Sequence, residues 1–253
     1  MNLLSWNVNG IRSISRKGFT PWLQKTHPHT LCIQETKAWP DQLDQDLLHP
    51  NGYQSWWACA EKKGYSGVCI YSTAQPQEVV EGLGIPQFDR EGRVLTARFA
   101  DFTLINAYFP NGQRDHARVP FKMEFCAAFL AHCQERRQRG ERLVICGDFN
   151  TAHREIDLKR PRENKNTTGF LPLERTWMDE FIAAGYLDIF RHFHPEPDHY
   201  TWWSNRKGVR QRNIGWRIDY HFISADLENQ VRAAYHLPEV MGSDHCPTGI
   251  GLD

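Results

Sequence analysis

Eight short apolar runs, each closed by a polar cluster, constrain this chain more than any other feature of its sequence. They are LLSWNVNG, TLCIQET, GVCIYS, TLINAYFPNG, RLVICGDFN, YTWWSN, RIDYHFIS and a final TGIGL. Their length and their β-branched and aromatic content predict strands rather than helices. Helical patterns lie between them. Phe121, Phe125 and Phe129 recur at four-residue spacing in a stretch over 121–139 that Gly140 stops. A second stretch, 174–184, places Trp177, Met178, Phe181 and Ile182 on one side and ends at Gly185; shorter helices are expected over 18–26 and 41–48. Strands interleaved with helices predict an α/β fold. No low-complexity linker or short-period repeat interrupts the chain, so one domain over 1–253 is expected.

Composition excludes several classes. Hydrophobic residues make up 40% and charged residues 24%, which suits a folded chain and argues against disorder. No apolar run has the length to cross a bilayer, and the start, MNLLSWNVNGIRS, reads as a strand rather than a secretory signal. A cytoplasmic, nucleoid-associated monomer with no membrane contact is the expectation. The seven cysteines include no C-x-x-C pair, and Cys32, Cys69 and Cys146 sit in apolar runs, so neither a disulfide framework nor a thiolate zinc site is expected.

Formal net charge is zero, but the charge is unevenly distributed. Arg12, Arg16, Lys17 and Lys25 precede the first acid, Glu35. The segment SNRKGVRQRNIGWR holds Arg206, Lys207, Arg210, Arg212 and Arg217 without any acid. Such a run is usually a solvated loop; Trp202 and Trp203 before it and Trp216 within it shift the reading toward a polyanion-binding surface.

The strand ends carry the chemistry. In LVICGDFN, Asp148 and Asn150 lie two residues apart, so an extended backbone would point both to one side. Glu35 closes LCIQET, and Asp244 and His245 follow a glycine turn in GSDHCP. Each alone reads as an ordinary turn or exposed strand end. Together with Asp219 they supply what phosphodiester hydrolysis needs: oxygen ligands for a hard divalent cation, a group to activate water, and donors for charge developing on phosphoryl oxygens. The chain has no G-x-x-x-x-G-K-[ST], G-x-S-x-G or H-E-x-x-H pattern, which disfavours triphosphatase, serine hydrolase and zinc protease readings.

SWNVNG, IQETK, NAYFPNG, GDFNTAH, GWRIDY and GSDHCP, in this order across the whole chain, resemble the exonuclease III family of apurinic/apyrimidinic endonucleases, within the endonuclease/exonuclease/phosphatase superfamily. The resemblance implies a four-layer α/β sandwich: two mixed sheets packed face to face and flanked by helices. It also implies a magnesium-dependent phosphodiesterase, with Mn²⁺ able to substitute. Such an enzyme cuts double-stranded DNA 5′ to abasic sites, leaving a 3′-hydroxyl and a 5′-deoxyribose phosphate, and also works on 3′ ends and 3′-blocked lesions.

By the same resemblance, Glu35 is the metal-binding glutamate and Asp148 activates or orients the attacking water, with Asn150 beside it. Asn7 holds the carboxylate network near the metal, and Asp244 lies close to the metal directly or through water. Tyr108 contacts the phosphate. His245 contacts the scissile phosphate, with Asp219 fixing its tautomer and favouring its charge. Trp202, Trp216 and Ile218 wall a pocket for a flipped abasic sugar, although in strand-like runs such residues are usually core. Arg114 and Arg206 enter the duplex around the lesion, and Asn111 and Asn164 contact phosphates; surface loops are the plain alternative. Asn9 stands where some members carry an aspartate, Thr167 where some carry a DNA-contacting asparagine, and Arg206 where some carry an apolar wedge. Two rivals remain at this stage: another phosphoester, such as a phosphoinositide or sphingomyelin, on the same fold, and a catalytically dead nucleic-acid-binding regulator.

Overall fold

The central apolar runs have two covered faces, and the fold shows what covers them. The computed structural model describes residues 1–253. Its strands in chain order are β1 (Asn2–Asn7), β2 (Thr30–Gln34), β3 (Gln54–Ala58), β4 (Val68–Ser72), β5 (Glu78–Glu81), β6 (Val94–Arg98) and β7 (Thr103–Tyr108). There follow β8 (Leu143–Asp148), β9 (Tyr186–Asp188), β10 (Trp202–Trp203), β11 (Gly215–Trp216), β12 (Asp219–Ser224), β13 (Val231–His236) and β14 (Thr248–Leu252). One six-stranded sheet runs β13-β14-β1-β2-β4-β3, the other β5-β6-β7-β8-β12-β9, and β10 and β11 form a small ribbon. Both sheets are mixed: β1–β2 and β7–β8 pair parallel, their other pairs antiparallel.

Alternation along each strand sends successive side chains to opposite faces. Leu3, Cys32, Val68 and Ile70 of the first sheet meet Leu95, Leu104, Val144, Cys146 and Ile223 of the second in the inter-sheet core. The alternate residues Leu4, Trp6, Leu31, Ile33 and Tyr71 pack outward onto Ile11, Ile14, Phe19 and Leu23. On the far side Ile105, Ile145 and Phe222 pack onto Phe125, Phe129, Trp177 and Phe181. The helices that supply those rings span Val119–Gln138 and Pro172–Ala183, within two residues of the expected stretches. This is the four-layer sandwich, and it explains why the central strands read as continuous apolar runs.

Two expectations change. The stretch 41–48 is no single helix: a 3-10 turn at Pro40–Gln42 and a short helix at Gln45–Leu48 replace it, because Leu43 is extended between them. The YTWWSN run contributes only two residues to a strand. No helix is long and apolar enough to cross a membrane, and all seven cysteines are free, six of them buried.

A polar strut crosses the sandwich below one rim. Gln34 Nε2, at the end of β2, donates to Ser5 Oγ at 2.9 Å and to Asn106 Oδ1 of the other sheet at 2.7 Å. Asn106 Nδ2 returns to the carbonyls of Ile33 and Cys69 at 3.0 and 2.8 Å. Gln34 and Asn106 are both fully buried. Each bond satisfies a group that would otherwise be stranded in the apolar core.

Candidate active site

Parallel and antiparallel register bring the polar strand ends to one rim. Asn7 lies beside Gln34, Tyr108 beside Asp148, and Asp219 directly opposite Asp148. Because β14 runs antiparallel to β1, with Ser5 opposite Thr248, the segment before β14 arrives next to Asn7 and carries Asp244 and His245. The first sheet thus supplies Asn7, Glu35, Asp244 and His245, and the second supplies Tyr108, Asp148 and Asp219. They border a cleft of about 510 Å³, whose wall also holds Asn9, Lys37, Asn111, Arg114, Asn150, Thr167, Thr168, Gly169, Trp202, Trp216 and Ile218. Asp219 stands behind His245 rather than on the wall.

Local backbone is specialised here. Gly147 has φ 139°, and a Cβ there would sit 1.8 Å from the Ala107 carbonyl oxygen, so GDFN needs its glycine for the β7–β8 approach. Asn150 is not extended as its spacing suggested. Its φ is 50°, and its amide donates to Asp148 Oδ1 at 2.8 Å, so an Asx turn rather than strand alternation aims it into the cleft. Asn150 Nδ2 donates to the Phe109 carbonyl at 2.9 Å, and its Oδ1 accepts from Asn111 at 3.1 Å.

Behind this turn stands Lys122, which sequence reasoning missed because nothing local marks it in its helix. Its fully buried ammonium donates at 2.7 Å to each of the Asn150 carbonyl, Thr151 Oγ1 and Glu174 Oε1. Glu174 is saturated in turn, accepting from Thr168 Oγ1 and from the amides of Gly169 and Leu171. Removing one partner of such a pair strands a charge in the interior. Lys122→Met should therefore cost about 3–5 kcal/mol of stability. Urea denaturation checks this; a midpoint equal to wild type would refute it.

The charged centre is an imidazole between two carboxylates. His245 Nδ1 lies 2.9 Å from Asp219 Oδ2, and its Nε2 lies 3.8 Å from Asp148 Oδ2. Asp219 Oδ2 also accepts from Thr201 Oγ1 at 2.6 Å. Burial opposes charge on His245, but Asp219 and Asp148 outweigh it and lift the imidazole to about 10. Burial also raises Asp148; His245 pulls it back and Asp219 pushes it up, leaving it at about 7. Asn7 Nδ2 donates to Asp148 Oδ2 at 2.9 Å. Burial, then the nearby Glu35 carboxylate, raises Tyr108 well above the ordinary phenol range, so it stays a donor; its hydroxyl donates to Glu35 Oε1.

Oxygen donors dominate the Glu35 side. Lys37 Nζ lies 3.1 Å from Glu35 Oε2 and donates to Asn9 Oδ1 at 2.6 Å. Asp244 accepts from Asn9 at 3.0 Å and from the Trp202 indole at 3.1 Å. Carboxylate and amide oxygens without thiolates suit a hard divalent cation. Asp148, Asp219 and His245 also bring ligand atoms within 4.8 Å of one another. An imidazolium repels a cation and so does the Lys37 ammonium, so an ion taken up by the oxygen donors around Glu35 would displace Lys37 from that carboxylate.

At one end the cleft is apolar. Trp202 and Trp216 meet edge to face at 6.3 Å, and with Ile218 they rest on a small core of Ala152, Leu158 and Phe170. Ile218 is buried while both indoles stay partly exposed, so these residues are core and wall at once. Arg206 and Asn164 lie outside the cleft, in an adjoining groove with Arg160, Lys207 and Arg212 that shares Arg114, Trp202 and Trp216 with it. The basic run is only partly a surface. Arg217 is fully buried, paired with Asp157 at 2.8 Å and Asp188 at 2.6 Å, and Arg210 donates to the Ser243, Pro238 and Val240 carbonyls.

A sequence profile described as the Endonuclease/Exonuclease/phosphatase family matches residues 4–245. The chain is 43% identical over 252 residues to an exodeoxyribonuclease of Bacillus subtilis (strain 168), covering 99% of this chain and 98% of that protein. It is 40% identical to a DNA-(apurinic or apyrimidinic site) endonuclease of Dictyostelium discoideum, covering 100% of this chain and 71% of that one. Among solved structures, a 3′ phosphatase from Neisseria bound to product DNA hairpin superposes with TM-score 0.92 at 29% identity, covering 100% of this chain and 99% of that one.

Proposed function

Since the chain belongs to the Endonuclease/Exonuclease/phosphatase family, among its exonuclease III-type DNA-repair nucleases, we propose that residues 1–253 act as one monomeric, Mg²⁺-dependent catalytic unit that incises duplex DNA 5′ to abasic sites and trims blocked 3′ ends. The observation that carries this reading is His245 held between Asp219 and Asp148 beside an oxygen-lined cleft with an apolar end.

Glu35, Asp148, Asn7, Asn150 and Asp244 would hold the cation, which when bound supplies Lewis-acid charge to the phosphoryl oxygens. Asp148 takes the proton of the attacking water as the new P–O bond forms. Its raised pKa suits it to accept a proton near neutrality. The bond from phosphorus to the 3′ oxygen breaks, that oxygen takes up a proton from solvent, and a 3′-hydroxyl and a 5′-deoxyribose phosphate are left. His245, Tyr108 and Asn150 donate to the phosphoryl oxygens, and Asp219 keeps His245 charged and oriented. Asn111 and Asn164 contact phosphates, while Arg114 and Arg206 enter the duplex.

Trp202, Trp216 and Ile218 form the pocket for the flipped sugar and exclude a nucleotide that keeps its base. Ile218→Ala should relax discrimination between abasic and base-bearing sites by about 10–200-fold, the usual range for an apolar pocket. The ratio of kcat/KM on the two substrates reads this; an unchanged ratio removes the pocket from the scheme. The overall test is a labelled duplex with a single abasic-site analogue, in Mg²⁺ or EDTA. Mg²⁺-dependent incision 5′ of the analogue is expected, and binding without cutting in Mg²⁺ would overturn the reading.

A further inference from the structure

A second cavity, of about 390 Å³, is lined among others by Phe190, His194, Asp198, His199 and His236. The loop HPEPDH, residues 194–199, supplies its first and last residues, both histidines, to that wall. We propose that His194, Glu196 and His199 form a binding site for a borderline divalent transition ion of the Zn²⁺ class, separate from the Mg²⁺ centre.

Geometry carries this. One ligand atom from each of the three residues lies within 4.8 Å of the others, and His199 Nε2 lies 4.0 Å from Glu196 Oε2. His194 Nε2 faces the Ala234 carbonyl at 2.7 Å, which places its ring proton there and leaves Nδ1 with a free lone pair. Imidazoles that bind metals commonly have their other nitrogen fixed in this way. The loop is also pre-shaped. Pro195 and Pro197 restrict the backbone on either side of Glu196, Asp198 turns the chain back with φ 69°, and Arg191 Nη1 donates to the carbonyls of His194 and Glu196 at 3.0 and 2.6 Å.

Neighbouring charges leave room for a cation. Arg191 is matched by Asp157 at 2.7 Å, and Asp198 is spent on Lys159 and Tyr200 at 2.8 and 3.0 Å, so Glu196 is the carboxylate free to ligate. His236 Nδ1, buried in the same cavity wall, has no partner in the protein. Two imidazoles and one carboxylate with open positions make a ligand set that zinc accepts and that magnesium, preferring oxygen, does not.

The test uses the full chain without an affinity tag, in excess Mg²⁺, titrated with ZnCl₂ by calorimetry and with Co²⁺ by visible absorption. Wild type and Glu35→Gln should both bind a single equivalent, the cobalt form showing imidazole-ligated bands. His199→Ala and His194→Ala should each weaken that binding by at least about tenfold, and Glu196→Gln should weaken it too. Incision by His199→Ala in Mg²⁺ alone should match wild type. Retention of wild-type zinc affinity by the histidine variants, or its loss in Glu35→Gln alone, would overturn the proposal.

Discussion

Asp148→Asn should lower kcat/KM for abasic-site incision by at least about a thousandfold, combining the loss of a general base with a weakened cation site. The change is nearly isosteric: an amide oxygen at the Oδ2 position still accepts from Asn7, and the one bond given up, from the Asn150 amide to Oδ1, is worth about 1 kcal/mol. Thermal melting and DNA affinity should therefore stay close to wild type while turnover collapses. The pH profile adds a second reading. Burial raises the folded pKa of Asp148 to about 7, so its base form, and with it the rate, grows as pH rises through that value. A divalent ion bound alongside moves this acid limb to lower pH. In Asp148→Asn the residual rate should lose the limb. Wild-type turnover in a folded variant would take the water-activating role from this residue.

Asp219→Asn should cost about 10²–10³ in kcat, the range for losing one donor aimed at developing negative charge, without any change in the residues that line the cleft. His245 owes its elevation to about 10 first to Asp219, against a burial that lowers it. With the carboxylate replaced, only Asp148 and, more weakly, Asp244 oppose that burial, and the folded pKa falls. In wild type the cationic form lasts until pH approaches about 10, so the alkaline limb lies high; in the variant it should move down by more than a unit. The stability linkage has the same sign. A histidine raised in the folded state stabilises fully below its ordinary value near 6.5 and loses that contribution as pH climbs toward about 10. Asp219→Asn should therefore lose stability at pH 7 and approach wild type in strongly alkaline buffer. An unmoved alkaline limb would leave Asp219 a packing residue.

The residues of the centre were legible only in combination. Glu35, Asp148 and Asp219 each sit at one end of an apolar strand, where a lone polar group reads as an ordinary turn, and the six ordered motifs are what joins them. The sheet edges were not. β3, β13, β5 and β9, which bound the two sheets, were absent from the expected runs. An edge strand such as EVVE is half exposed and carries charge, so it has no apolar signature to read. Arg217 was misplaced on the surface because its acids stand 60 and 29 residues away in sequence. Lys122 escaped for the same reason, Glu174 being 52 residues distant. Asn150 was assigned to the right cleft by the wrong geometry, since spacing cannot distinguish an Asx turn from an extended dipeptide. Layer count came from motif resemblance, not from periodicity.

The strut of Gln34 and Asn106 has a consequence beyond satisfied hydrogen bonds. Glu35 follows Gln34 directly, and Tyr108 stands two residues after Asn106 on the same strand. The amide pair is thus a spacer that sets how far apart the two sides of the candidate site stand. Turnover then works as a gauge of the sandwich's interior thickness. A swelling of a few tenths of an ångström anywhere in the Leu3, Val68, Leu104 and Val144 layer should register as lost rate before it registers as lost fold. For this architecture, slow variants far from the cleft need no conformational pathway to explain them; a change of gap is enough.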